Sequence, residues 1–254
     1  MYIFQLEILW ITIAPSYYGL MYVLWFVFGY LVLKKRAILN NKQLDDILLY
    51  MFGGIVLGWR LWYMLFYNTA NLIAEPLSIL RVWEWGMSFH WWVIWVIIAM
   101  ILFSKKYKIN FYTLADEICL ILPIWLFFGR IWNYINWELL WYTGYTGPLG
   151  INWQFPSPLL EALLEWVVLF GILWWFKSLP LSGTPFAKGR IRQYGQLACL
   201  FLIWYSVFRI FVELFFRQPD AHIGYILPYT SLGTLLSLPM LIVWIILYIR
   251  LQKK

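Results

Sequence analysis

The sequence of 254 residues is 63% hydrophobic and 22% aromatic but only 12% charged, whereas soluble domains are about 25% charged. This composition excludes a soluble globular protein, and its many aromatic residues exclude a disordered one. The net charge of +7 does not indicate nucleic-acid binding, because the basic residues lie between apolar runs and not on one polar face. The composition predicts a polytopic membrane protein.

Seven apolar runs approach or reach the length that a helix needs to cross a hydrocarbon core of about 30 Å. Residues 1–15 carry polar side chains, lack a basic start and end at a proline, so they are interpreted as an arm at the membrane interface. The whole chain, residues 1–254, is predicted to form one all-α membrane domain. The seven predicted transmembrane helices are residues 17–33, 47–66, 89–103, 111–128, 158–176, 196–216 and 226–249.

Basic residues alternate between the connections that join these runs. Fourteen of the 19 Lys and Arg residues follow the first, third, fifth and seventh runs. Because cytoplasmic loops are enriched in Lys and Arg, this distribution predicts an N-terminus outside and a C-terminus in the cytoplasm. An odd number of spans agrees with that orientation.

The sequence gives no support for a metal site or for a familiar soluble-enzyme motif. Cys119 and Cys199 both lie inside apolar runs, so they are predicted to pack between helices and not to form a disulfide framework or a zinc site. The chain has no G-x-S-x-G, H-E-x-x-H, Walker or Cys-x-x-Cys pattern. Serine-hydrolase, zinc-protease and nucleotide-driven activities therefore have no direct motif.

Arg60, Arg209 and Glu213 are charged residues within the predicted spans and lie toward the outer side. Charges at membrane depth are costly and usually face an interior cavity. Arg209 and Glu213 are four residues apart, so they share a helix face and are predicted to form an ion pair. A purely structural ion pair is one interpretation of this arrangement.

Further polar residues favour a functional interpretation instead. A loop predicted to begin at Gly129 brings Arg130, Asn133 and Glu138 to the same outer level, and His90 opens the third span there. Guanidinium groups match phosphate oxygens in a bidentate manner, and a histidine or carboxylate is able to act as a general base. The residues therefore predict a site at the outer face that handles a lipid phosphate.

Six segments, one of which is highly specific, carry a resemblance to a known family. The specific segment is Gly-Arg-Ile-Trp-Asn-Tyr-Ile-Asn-Trp-Glu at residues 129–138. The other five are residues 16–22 (SYYGLMY), 86–90 (GMSFH), 161–165 (EALLE), 208–222 (FRIFVELFFRQPDAH) and 236–240 (LSLPM). Together they resemble the prolipoprotein diacylglyceryl transferases over nearly the whole chain.

The resemblance implies a seven-span enzyme of the bacterial inner membrane with its active site toward the outer face. It implies transfer of the diacylglyceryl group of phosphatidylglycerol to the lipobox cysteine thiol in the signal peptide of a prolipoprotein, with release of glycerol phosphate and without a metal or cofactor. The same resemblance implies that Arg130, Asn133 and Arg209 bind the phosphate of phosphatidylglycerol. The catalytic set it implies is Tyr18, His90, Glu138, Arg209 and Glu213, with the two glutamates orienting the arginines. His90 is the candidate base for the thiol, and the alternative is that the electrostatics of the arginines suffice without a dedicated base.

Tryptophan stands at nine positions where the resembled family has glycine. One explanation is a gene that uses UGA for glycine but has been translated with UGA as tryptophan, in which case the native protein has glycine there. A true tryptophan variant is the alternative, and its indoles would fill the space that a headgroup needs. The nine positions are Trp59, Trp62, Trp85, Trp91, Trp92, Trp95, Trp132, Trp137 and Trp141.

Two other functional classes remain open from the sequence. One is a transporter or channel, in which charges at membrane depth mark an ion path. The other is an inactive membrane protein whose site is filled by tryptophan. The charges concentrate toward the outer side and do not follow both leaflets, which favours an enzyme acting on outer-leaflet lipid.

Overall fold

The structure is a computed structural model, and it describes part of the chain. Its backbone is described for residues 6–8, 11–13, 17–62, 64, 69–80, 89–136, 147–148, 154–179, 193–217, 225–227 and 230–253. Within these ranges, side chains are described except at residues 6–8, 11–13, 17–22, 25, 57–62, 70–71, 79–80, 89–93, 225–227 and 232.

Helices account for most of the described residues, and two short antiparallel hairpins accompany them. The first hairpin pairs β1 (Leu6–Ile8) with β2 (Ile11–Ile13), and the second pairs β3 (Tyr225–Leu227) with β4 (Thr230–Ser231). A 3₁₀ helix covers Pro76–Leu80 and a π-helical segment covers Leu163–Val168. The α-helices are α1 (Tyr17–Arg36), α2 (Asn41–Trp62), α3 (Thr69–Ala74), α4 (Phe89–Tyr107), α5 (Phe111–Cys119), α6 (Leu122–Ile135), α7 (Ser157–Ala162), α8 (Leu169–Lys177), α9 (Gln196–Phe215) and α10 (Leu232–Gln252).

Four helical stretches among the described residues are long and apolar enough to cross a membrane. They coincide with the last four predicted spans, which confirms a mostly helical protein with several candidate membrane spans. The helices α1, α2 and α4, of 20, 22 and 19 residues, overlap the first three predicted spans. Seven crossings and their orientation stay predictions. The four stretches are Phe111–Ile135, Ser157–Lys177, Gln196–Phe215 and Gly233–Gln252.

The chain divides into two compact units, and the smaller one comprises Phe28–Leu114. Its α2 begins with a capping box, in which Gln43 N donates to Asn40 Oδ1 at 2.9 Å and Asn40 N donates to Gln43 Oε1 at 3.0 Å. The helices α2 and α4 pack against each other. A Cβ atom at Gly54 would lie 3.0 Å from Ala99 Cβ, so glycine permits this close helix crossing.

The larger unit comprises Met1–Val27 and Ala115–Lys254, and it contains the helices from α6 to α10. Here α7 packs against both α6 and α9, and α9 packs against α10. The buried carboxylate of Asp116 caps the start of α9, because it accepts hydrogen bonds from Gly195 N and Ala198 N, both at 3.0 Å. Gly195 has φ 87°, a left-handed conformation that favours glycine.

The structure corrects the prediction that a loop begins at Gly129. The helix α6 continues through Arg130 and Asn133 to Ile135 and ends at Asn136. The fourth predicted span stops at residue 128 because the charge of Arg130 interrupts the apolar run. In the folded protein, that guanidinium is paired with buried carboxylates, so it is compatible with a helix. Residues that were expected on a loop are therefore held on a rigid element.

Several predicted boundaries also shift. The helix that covers the second predicted span begins before it, at Asn41, because its capping box precedes the apolar run. The seventh begins later, at Leu232, because the second hairpin occupies the residues before it. The predicted interfacial arm contains the first hairpin. Cys119 and Cys199 are buried free thiols, which confirms the packing interpretation.

Candidate active site

The predicted pairing of Arg209 with Glu213 is confirmed. Both residues lie near the end of α9, and Arg209 Nη2 lies 2.5 Å from Glu213 Oε1. The i,i+4 spacing places both side chains on one face of the helix. Arg217, two residues after the end of α9, also approaches Glu213, with its Nη1 3.5 Å from Glu213 Oε1.

Arg130 on α6 is held by two glutamates. It donates hydrogen bonds from Nε to Glu165 Oε2 at 2.9 Å and from Nη2 to Glu165 Oε1 at 3.2 Å. Its Nε also lies 3.0 Å from Glu161 Oε2, which forms an ion pair. The two hydrogen bonds to one carboxylate fix the plane of the guanidinium as well as its position.

Glu161 on α7 connects the arginines of α6 and α9. Its Oε2 faces Arg130, while its Oε1 accepts hydrogen bonds from Arg209 Nη1 at 3.2 Å and from Arg217 Nη1 at 3.1 Å. The residue is fully buried. One carboxylate therefore lies between three guanidinium groups.

The charges of this cluster balance among the described residues, with three arginines against three glutamates. We call this set the arginine–glutamate cluster: Arg130, Arg209, Arg217, Glu161, Glu165 and Glu213. A buried charge is tolerated only when it is paired, and removal of one partner from a buried pair typically costs about 3 to 5 kcal/mol. Each residue of the cluster is thus held in place by the others.

The fifth predicted span contains a π-helical segment close to its two glutamates. Glu161 lies on α7 and Glu165 lies in the π-helical segment Leu163–Val168, and both reach Arg130. π-Helical turns inside α-helices occur frequently at functional sites. The irregular turn is therefore a second reason, beside the buried charges, to treat this part of the chain as a candidate site.

The start of α10 completes the surroundings of Glu213. Ser231 donates a hydrogen bond from Oγ to Glu213 Oε2 at 2.5 Å, and the same hydroxyl caps α10 by accepting from Thr234 N at 3.2 Å. A Cβ atom at Gly233 would lie only 2.6 Å from Glu213 Oε1. Glycine at this position therefore leaves the space that the carboxylate occupies.

The three arginines differ in exposure. The side chains of Arg130 and Arg209 are 13% and 15% exposed, whereas that of Arg217 is 5% exposed. Arg130 and Arg209 are thus partly exposed, although nitrogens of both guanidinium groups are paired with glutamates. Two such groups are suited to bind an anionic group with several oxygens, such as a phosphate.

The structure brings together three of the predicted site residues, Arg130, Arg209 and Glu213. Asn133 lies one turn after Arg130 on α6 and is half-buried. Four other predicted residues have no described side chain. Tyr18 and His90 lie in the first turns of α1 and α4, Arg60 lies near the end of α2, and Glu138 lies outside the described residues.

Sequence reasoning missed the cluster residues Glu161, Glu165 and Arg217 as site residues. A signal was present, because two carboxylates four residues apart lie inside the fifth apolar run, and charges at membrane depth indicate function.

Of the nine tryptophans at expected glycine positions, Trp95 is half-buried in α4 and Trp132 is buried in α6. The other seven have no described side chain, and glycine at all nine positions stays a prediction.

Comparison with known proteins identifies close sequence similarity over most of the chain. The family model described as prolipoprotein diacylglyceryl transferase matches residues 5–250. A protein of Rickettsia bellii (strain OSU 85-389) is 39% identical over 253 residues, covering 94% of this chain and 92% of the relative. A relative from Bordetella avium is 38% identical, covering 95% and 92%, and one from Chromohalobacter salexigens is 41% identical, covering 94% and 88%. All three are named phosphatidylglycerol–prolipoprotein diacylglyceryl transferase.

Proposed function

Since the chain belongs to the prolipoprotein diacylglyceryl transferase family, we propose that it transfers the diacylglyceryl group of phosphatidylglycerol to a cysteine thiol of a prolipoprotein. Membership of this family identifies the chain as a transferase and does not favour a transporter or channel. The acceptor in this proposal is the lipobox cysteine of the signal peptide. The reaction as proposed uses no metal or organic cofactor.

The observation that carries the proposal is the joint position of Arg130 and Arg209. Both are partly exposed, and both contact the carboxylate of Glu161. The phosphodiester of phosphatidylglycerol carries one negative charge, and the glycerol phosphate that leaves carries up to two. Guanidinium groups placed beside that phosphate stabilise the charge that develops as the bond breaks.

The proposed reaction is a substitution at carbon. The cysteine sulfur attacks the glyceryl carbon that bears the phosphate, so that a C–S bond forms and the C–O bond to the phosphate breaks. The bonding electrons leave with glycerol phosphate, and the thiol proton passes to a base. Free cysteine has a pKa of about 8.5, so the thiolate forms with modest help, and we assign the base to His90.

The remaining roles rest on contacts and on the family resemblance. Glu213 orients Arg209, which is supported by their ion pair. Asn133 is assigned to the phosphate because it lies one turn from Arg130 on α6. Tyr18 and Glu138 are assigned to the site by the family resemblance alone.

We further propose seven crossings of the bacterial inner membrane, with the cluster toward the outer face. Basic residues in the last turns of α1, α4, α8 and α10 support this orientation, since these are the ends assigned to the cytoplasm. A thiol reagent that cannot cross membranes should label a cysteine placed at Tyr145 but not one placed at Gly183 in intact cells. Both positions lie outside the described residues, and equal labelling would overturn the orientation.

The function is tested by incubating the purified protein in detergent micelles with phosphatidylglycerol and a lipobox peptide. Mass analysis should show the peptide heavier by one diacylglyceryl group. The matched control is the same peptide with serine in place of its cysteine, which should remain unmodified. A cysteine peptide of unchanged mass would contradict the proposed function.

A further inference from the structure

The carboxylate of Glu161 is shared between the two partly exposed arginines. Its Oε2 lies 3.0 Å from Arg130 Nε and its Oε1 lies 3.2 Å from Arg209 Nη1. The two oxygens of a single carboxylate thus set how far apart the two guanidinium groups lie. Arg217 adds a third contact on the Oε1 side, at 3.1 Å, and is almost fully buried.

The other two glutamates of the cluster do not make this connection. Among the described contacts, Glu165 pairs with Arg130, while Glu213 pairs with Arg209 and Arg217. Arg130 and Arg209 belong to α6 and α9, and α7 packs against both of these helices. Glu161 on α7 is therefore the residue of the cluster that contacts both partly exposed arginines.

We propose that Glu161 is a positioning residue, which holds Arg130 and Arg209 at the separation that lets both bind one lipid phosphate. The inference rests on the proposed function, because it assigns the phosphate of phosphatidylglycerol to these arginines. Two guanidinium groups repel each other, and a carboxylate between them offsets that repulsion. Glu161 itself is fully buried, so it acts through the arginines and does not touch the lipid.

A charge-balancing role and a structural role predict different kinetics from a positioning role. If Glu161 only offsets positive charge, its removal strengthens attraction for the anionic lipid and lowers the KM for phosphatidylglycerol. If it only supports the fold, its removal lowers the amount of active enzyme and changes neither KM. If it positions the arginines, its removal raises the KM for phosphatidylglycerol and leaves the KM for the peptide unchanged.

The test compares Glu161→Gln with the wild-type chain by steady-state kinetics in mixed micelles, with each substrate varied in turn. Glutamine keeps the size of the side chain and removes its charge. We expect the KM for phosphatidylglycerol to rise at least fivefold and the KM for the peptide to stay within twofold. The matched control is Glu75→Gln, at an exposed residue of the other unit, which should leave both constants unchanged.

A KM for phosphatidylglycerol that stays constant or falls in the Gln variant would overturn the inference. If that variant does not fold, Glu161→Asp replaces it, because it keeps the charge but is too short to reach both arginines, and the same rise is expected. A further measurement needs no change at Glu161. If the arginines share one phosphate, Arg130→Lys and Arg209→Lys together should raise the KM by less than the product of their separate effects, and a full product overturns the inference.

Failure of the inference is distinguishable from failure of the proposed function. If the wild-type chain forms no diacylglyceryl peptide, the proposed function is wrong. If the wild-type chain forms it and the variants keep the wild-type KM for the lipid, the transferase assignment stands and the role of Glu161 is wrong.

Discussion

Replacing Arg209 with lysine tests whether the fork of the guanidinium matters or only its charge. Arg209 uses two different nitrogens, with Nη1 on Glu161 and Nη2 on Glu213. Lysine keeps the positive charge but has one compact ammonium group, which does not span the two carboxylates as the planar fork does. Arg209→Lys is therefore expected to lose a charged hydrogen bond and the orientation toward the phosphate.

The size of the effect follows from that loss. A hydrogen bond to a charged group contributes about 1.5 to 3 kcal/mol, and each 1.36 kcal/mol in the barrier changes a rate about tenfold. Arg209 is 15% exposed, so solvent screening reduces this contribution only slightly. We expect transfer to fall at least tenfold and by up to roughly a hundredfold.

The assay measures diacylglyceryl transfer to a lipobox peptide by mass spectrometry, using equal amounts of folded protein. Arg250→Lys is the matched control, because Arg250 is exposed in the last turn of α10 and belongs to no part of the cluster. It should transfer at the wild-type rate. Unchanged transfer by Arg209→Lys would refute the bidentate role of this arginine.

Three further predictions concern other parts of the molecule. Gly233→Ala should lower transfer several-fold, because its Cβ would lie 2.6 Å from Glu213 Oε1. Gly171→Ala is the control, since a Cβ there has open space around it, and it should leave transfer unchanged. Equal transfer by the two variants would contradict the close packing at Gly233. The hydrogen bond from Lys106 holds the pKa of Asp46 below its usual range, so Asp46 stabilises the fold above about pH 4 and loses this effect as the pH falls further. The difference in melting temperature between wild type and Asp46→Asn should therefore shrink below pH 4, and a constant difference would argue against the ion pair. Sequencing the gene should find UGA at the nine tryptophan positions, and UGG codons there would end the glycine prediction.

The local part of the site was predictable from the sequence. Arg209 and Glu213 are one helical turn apart, so their pairing depends only on the periodicity of α9 and not on how helices pack. The last four apolar runs correspond to long helices, because a run of about 20 apolar residues has the length that a helix needs to cross the hydrocarbon core.

The long-range part of the site was not predictable in the same way. Glu161 contacts Arg130 and Arg209, which are separated from it by 31 and 48 positions, and these contacts depend on the packing of α7 against α6 and α9. The predicted end of the fourth span lies too early in the chain, because hydropathy counts the guanidinium of Arg130 as polar whether or not a carboxylate neutralises it. The π-helical turn at Glu165 has no sequence signal that we identify.

The central claim is that the lipid phosphate, bound by Arg130 and Arg209, leaves as the carbon–oxygen bond breaks. Phosphatidylglycerol labelled with ¹⁸O in the oxygen that joins the diacylglyceryl carbon to phosphorus tests it directly. We predict that all of the label appears in glycerol phosphate and that one molecule is released for each peptide modified. Label retained with the diacylglyceryl group, or peptide modified without release of glycerol phosphate, would contradict the account.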